Sequence, residues 1–233
     1  EDWFVTIHVC IEDTASDAIN AGYNLSRLNK NNKVNDFSIE LKKIIKSLKK
    51  VNYIFSKMPE KCDPYVYYHR VRPYIFGTKD NPDLKEGLIY ENQYQNVPQF
   101  FRGETGAQSS IIPFLDGALG IYHTNDNLRP YLNEMRDYMP PKHRKMIENV
   151  EEKSMAKEYI FKSKKLIHEY NQCLEEIRRF RAQHLEFAAS YIHKQSKAKT
   201  AFGTGGSTFR GTGGTPFLRD FKKHRDETNK QKI

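Results

Sequence analysis

His184 has more chemistry to account for than any other residue in this sequence. It falls between Lys165 and Tyr191, where Leu166, Tyr170, Cys173, Leu174, Ile177 and Phe180 recur three or four apart. That is the period of one helical face. His184 follows Ile177 by seven residues and precedes Tyr191 by seven, so its imidazole lies on the apolar stripe. Arg181, one turn earlier, points the same way. Two chemistries fit. One is a core histidine satisfied by hydrogen bonds. The other is an axial ligand to a buried metal or haem, with the arginine serving an anionic group beside it.

Asp116 is the second residue that needs a partner. It sits in segment 106–122, which is apolar almost all round (Ile111, Ile112, Phe114, Leu115, Leu119, Ile121). Such a helix is central and buried, and a buried carboxylate requires a cation or donors nearby. Arg181 is the candidate. Cys10, Cys62 and Cys173 are far apart and odd in number, so they form neither a zinc spacing nor a disulfide framework. Reduced thiols of a cytoplasmic protein fit them.

The elements that must position these groups are helical. Periodicity predicts helices over 1–22, 36–57, 64–75, 106–122, 127–138 and the long segment carrying His184, with Pro140-Pro141 ending one helix and starting the next. Residues 78–105 contain Asn81-Pro82, Gly87, Pro98 and Gly103 with little periodicity and read as a long ordered loop rich in aromatics. Strand signals are almost absent, so the fold class is all-α. Residues 1–193 are expected to form the large helical core. Residues 194–216 hold Gly203-Thr204-Gly205-Gly206 and Gly211-Thr212-Gly213-Gly214, which suit either a flexible linker or a mobile lid. Residues 217–233 are expected to add a C-terminal helix and a basic tail that frays.

The formal net charge of +9 invites a nucleic-acid partner. Yet Lys42, Lys43, Lys46, Lys49 and Lys50 alternate with Leu41, Ile44, Ile45 and Leu48, the pattern of a solvated helix face. No aromatic RNA-binding signature accompanies them, so no nucleic acid is expected. No apolar run approaches the roughly 18 residues of a membrane span, and no signal peptide is visible. The chain starts at Glu1 within a helix-like pattern, Trp3-Phe4-Val5, as a fragment of a longer protein would. We expect a monomer.

Long strings of low degeneracy add to this reading. Phe101-Arg102-Gly103-Glu104-Thr105-Gly106-Ala107-Gln108-Ser109-Ser110, then Asp116-Gly117-Ala118-Leu119-Gly120-Ile121, resemble the indoleamine 2,3-dioxygenase family. Tyr131-Leu132-Asn133-Glu134-Met135-Arg136-Asp137-Tyr138-Met139-Pro140-Pro141 and Gly211-Thr212-Gly213-Gly214-Thr215 strengthen the match. It extends over essentially the whole chain and corresponds to the family's large haem-binding domain, without the smaller N-terminal one.

The resemblance implies haem b as cofactor, with His184 as proximal ligand to the iron. It places Arg181 beside a haem propionate, paired with Asp116. It puts Arg72 on the substrate carboxylate, Tyr67 against the indole ring, and Gly103, Glu104, Thr105 and Gly106 over the distal pocket. Thr212 becomes the lid threonine near the substrate ammonium. His8 falls at a distal position and reads equally as a core histidine. Glu104 has a plainer reading as a helix cap, and Arg72 as a surface residue like Arg70. The implied activity is cleavage of the indole C2–C3 bond of L-tryptophan, or of another indoleamine, with O2 to give N-formylkynurenine, the first step of the kynurenine pathway. No residue is required as a catalytic acid or base. The rivals are a haem oxygen-binding protein on the same scaffold and a haem-free helical interaction module.

Overall fold

A computed structural model describes residues 1–124, 128–196, 212 and 218–233. Helix α1 (Asp2–Arg27) turns its buried face, Ile7, Ile11, Ala15, Ala18, Ala21 and Leu25, toward α2 (Val34–Ser56). The small residues let the two backbones lie close. α2 starts where the Asp36 carboxylate accepts the Lys33 backbone N–H at 2.8 Å. It buries Phe37, Leu41, Ile44 and Leu48 and leaves Lys42, Lys43, Lys46, Lys49 and Lys50 exposed, as the pattern predicts.

The helix expected over 64–75 is present but interrupted. A short α3 (Met58–Lys61) precedes α4 (Pro64–Val66), which Asp63 caps by accepting from the Tyr65 and Val66 N–H groups. A wide π turn (Tyr67–Val71) then leads into α5 (Arg72–Ile75). Pro73 supplies the cause. Its ring would clash with the carbonyl four residues back, and the Arg72 N–H reaches instead to the Tyr67 carbonyl, five back.

The loop from 76 to 105 is ordered, with one antiparallel bridge, Leu88 to Gln99, and no strand among the described residues. Tyr90, Tyr94 and Phe101 pack on one another with ring centroids 5.8–6.2 Å apart. The segment predicted as one helix over 106–122 is shorter. A single 3-10 turn (Gly106–Gln108) precedes α6 (Ile111–Leu119). Thr105 caps that turn through the Ala107 N–H, a task the helix-cap reading gave to Glu104. Gly120, at φ +64°, closes α6 in the left-handed conformation that suits glycine.

Helix α7 (Leu128–Met135) runs into a 3-10 turn (Arg136–Tyr138), and Pro141 occupies the first turn of α8 (Pro141–Lys153). A short α9 (Ala156–Ile160) leads to α10 (Lys164–Ala188), which packs along α2 and ends in a second π turn (Ala189–His193) and α11 (Lys194–Ser196). The C-terminal helix expected within 217–233 is α12 (Leu218–Lys230), which reaches almost to the chain end and lies against α10. Both glycine-rich copies lie outside the described residues apart from Thr212.

Arg102 fastens the loop to α7. Its guanidinium meets both oxygens of Glu134, at 2.8 and 3.1 Å, and Asp80 at 2.7 Å, while Lys79 reaches Glu134 at 2.6 Å. These hydrogen bonds, led by Arg102, hold the Glu134 carboxyl down at about 2. A depressed carboxylate stabilises the fold fully above its unfolded value near 4.5, and the contribution fades as pH falls toward 2. Discounted for partial solvent exposure, Glu134→Gln should cost about 1–2 kcal/mol at pH 7. Denaturant titrations of wild type and variant should converge between pH 4.5 and 2. A gap that stays constant across that range would remove Glu134 from the account.

Candidate functional site

A cavity of about 700 Å³ opens between α1, the first π turn, the 104–112 segment, α6, α10 and α12. Its wall is mainly apolar, built from residues such as Phe4, Phe55, Ile111, Leu128, Phe180 and Phe187. Of the residues singled out from the sequence, His184, Arg181, Asp116, Tyr67, His8, Glu104, Thr105, Gly106 and Thr212 line it. Arg72 and Gly103 are not on its wall.

The expected ion pair forms. Arg181 on α10 donates to Asp116 on α6 at 2.5 Å and to the Thr228 hydroxyl of α12 at the same distance. Burial alone would raise the Asp116 carboxyl, but the Arg181 charge and a hydrogen bond with His123 hold it below the usual carboxylate range. His123 stands at the centre of an extended network. Its Nε2 lies 3.3 Å from Asp116 and 3.1 Å from Arg181, and its Nδ1 lies 2.9 Å from Glu227. The His224 ring stacks on that of His123, with centroids 4.3 Å apart.

His184 is half-buried beside Phe55, with ring centroids 6.3 Å apart. Phe55 in turn packs on Phe180 and Phe187 at 5.0 and 4.9 Å. Burial among these rings, helped by the charge of His8, pushes the imidazole down to about 4, so it is neutral at physiological pH. A neutral imidazole is the form that ligates a metal. His8 packs on Phe4 and points Nδ1 at the Phe4 carbonyl, 2.8 Å away. An N–H at that nitrogen leaves Nε2 as the acceptor.

Tyr67 packs between Phe4 and Tyr191 at 5.0 and 5.7 Å, and burial pushes its phenol up to about 12. Arg72 is fully buried, with its guanidinium over the Tyr68 and Phe76 rings at 5.2 and 4.7 Å. The surface reading of Arg72 therefore falls. Arg70 is the exposed one, and it pairs with Glu1.

Gly103 marks a crossing of three segments. The Glu104 N–H bonds the Ile75 carbonyl at 2.9 Å, the Gly77 N–H bonds the Thr212 carbonyl at 3.2 Å, and the Thr212 hydroxyl donates to the Glu104 carbonyl at 2.5 Å. A Cβ on Gly103 would stand 2.3 Å from the Gly77 nitrogen and 2.4 Å from the Thr212 oxygen. Only glycine permits that approach.

Sequence reasoning missed His123, His224, Glu227 and Thr228. His224, Glu227 and Thr228 are spaced three and four apart on one helical face. That signal was visible, but the basic charge of the segment hid it.

The indoleamine 2,3-dioxygenase family model matches residues 1–231. Indoleamine 2,3-dioxygenase 1 of Rattus norvegicus is 34% identical over 97% of this chain, and indoleamine 2,3-dioxygenase 2 of Mus musculus 32% over 78%. The 6-hydroxytryptophan 2,3-dioxygenase of Fusarium equiseti is 31% identical over 97%. The chain spans 58%, 46% and 60% of these relatives respectively, so it corresponds to about half of their length. Family model and relatives agree, and the chain belongs to the indoleamine 2,3-dioxygenase family.

Proposed function

We propose that this chain is the haem-binding part of a dioxygenase that cleaves the indole C2–C3 bond of L-tryptophan or a related indoleamine, placing both atoms of O2 in an N-formylkynurenine-type product. The observation that carries the reading is a neutral imidazole, His184, on the wall of a large apolar cavity that also presents Arg181. Those surfaces match haem b: an apolar macrocycle for the aromatic wall, iron for the imidazole, and propionates for a guanidinium. Asp116 and Thr228 fix the direction in which Arg181 presents its charge.

When bound, haem supplies the redox chemistry by which O2 attacks a closed-shell indole. The protein's part is to hold and orient. Tyr67 and Phe4 offer rings for the indole to pack against. His8 lines the cavity, and in the tautomer that donates from Nδ1 to the Phe4 carbonyl its Nε2 suits an indole N–H. Thr105, Gly106 and Thr212 line the cavity, where they suit the amino-acid end of a substrate. Arg72, buried against the Tyr68 and Phe76 rings and not on the cavity wall, is the guanidinium suited to a carboxylate fork. Apolar walls exclude water around the reacting atoms.

Membership of the family and the placement of Tyr67 favour the enzyme over an oxygen-binding protein, and no helix among the described residues is long and apolar enough to cross a membrane.

Haemin titration should give a stoichiometric Soret shift that His184→Ala abolishes. An unchanged shift in that variant would reject the ligand assignment. With reductant, O2 and L-tryptophan, the full-length protein should form N-formylkynurenine. Haem binding without product would support the oxygen-binding reading instead. Arg72→Lys keeps the charge and loses the fork. It should raise KM about 10- to 100-fold, the value of one charged hydrogen bond, with haem content unchanged. Equal loss of haem would make Arg72 structural.

A further inference from the structure

From the cluster at the foot of α12 we infer that His123, His224 and Glu227 form a second metal site, one for a divalent transition ion of the zinc class, separate from the His184 position. The two histidines offer one ring nitrogen each and Glu227 a carboxylate oxygen, all within 4.8 Å of one another. Metal bonds of about 2.0–2.2 Å at tetrahedral angles place donors about 3.3–3.6 Å apart, so binding draws the widest pair together by up to about 1.5 Å. Two nitrogens and one oxygen suit zinc, cobalt or nickel rather than calcium or magnesium.

His123 carries the argument. Its Nδ1 faces a Glu227 oxygen at 2.9 Å and its Nε2 an Asp116 oxygen at 3.3 Å. A neutral imidazole has one N–H, so it can serve only one of these carboxylates. With that proton directed at Asp116, Nδ1 turns a lone pair toward Glu227, and a cation between them resolves the clash. The carboxylate behind the ring is then the usual outer partner of a metal-bound histidine. With the proton on Nδ1, Nε2 accepts from Arg181 at 3.1 Å and no ion is needed. That hydrogen-bonded arrangement is the rival.

Two features favour the ion, and one side chain has to move. His224 and Glu227 are three residues apart on α12 and so share a face. The His224 ring is stacked on that of His123 at 16°, so it must rotate out of the stack for its nitrogen to share an ion with His123. The Thr124 hydroxyl holds the other Glu227 oxygen at 2.5 Å, which fixes the carboxylate. His123 and His224 both line the cavity, which gives an ion its entry path. The bound ion would tie α12 to the α6–α7 connection and lock Asp116 behind Arg181.

Calorimetric titration of the haem-free chain with zinc chloride tests this, beside His224→Ala, Glu227→Gln and His184→Ala. One zinc per chain is expected. Affinity should fall at least about 100-fold in the first two variants, beyond the loss typical of an outer partner, and stay unchanged in His184→Ala. No stoichiometric binding overturns the proposal, as does binding insensitive to His224→Ala or lost equally in His184→Ala. If His224→Ala does not fold, as read by circular dichroism, cobalt replaces zinc on the wild-type chain. Strong visible bands of a four- or five-coordinate ion support the site, and the weak spectrum of a hydrated octahedral ion rejects it.

Discussion

The largely buried ion pair between Arg181 and Asp116, each side chain 12–13% exposed, is the constraint on which the rest of this structure depends. Two charges removed from water are stable only when the geometry is good and the remaining polar atoms are satisfied. Here α6 supplies the carboxylate, α10 the guanidinium, α12 the Thr228 hydroxyl and the α6–α7 connection His123. Four segments must therefore be correctly placed before the pair stops being a liability. Removing one partner of such a pair typically costs about 3–5 kcal/mol, a large share of the stability of any domain. The same pair sits on the cavity wall one helical turn from His184, so the interaction that fixes the helix packing also fixes the electrostatics of the site.

A different kind of bond sets the opposite side of the cavity. There the backbone of Ile75–Gly77, the segment around Gly103 and Thr212 cross at van der Waals distance and exchange hydrogen bonds. Arg102 and Glu134 then hold the long loop to α7. The cavity thus has one side fixed by side-chain charge and one fixed by main-chain pairing. The second kind depends on glycine and leaves no apolar pattern in the sequence.

That difference explains what could be read in advance. His184, Arg181 and Asp116 were legible because each sat on a strongly periodic apolar stripe where a polar residue stands out, and their pairing followed from the cost of burying charge. The all-α fold and the solvated lysine face of α2 were legible for the same reason. The π turn at Tyr67–Val71 had a signal in Pro73, but a helical period alone does not say how a helix accommodates a proline. The burial of Arg72 was not legible, since an arginine between aromatic rings looks like any arginine in a Tyr-rich string. The roles of Gly103 and Thr212 rest on contacts between residues more than a hundred positions apart.

The C-terminal helix sharpens the point. A helix was expected there, but its lysines and arginines said nothing of its inner face, which carries His224, Glu227 and Thr228, each engaged with the Arg181–Asp116–His123 network. A segment's net charge reports what faces water, not what faces the core. Because α12 supplies the third wall around Arg181, it cannot be an independent appendage. Its docking completes the hydrogen bonding of a guanidinium that would otherwise be only partly satisfied, and partly satisfied buried networks are the costly ones. Docking of α12, orientation of Arg181 and the polarity of the cavity wall are therefore one coupled event.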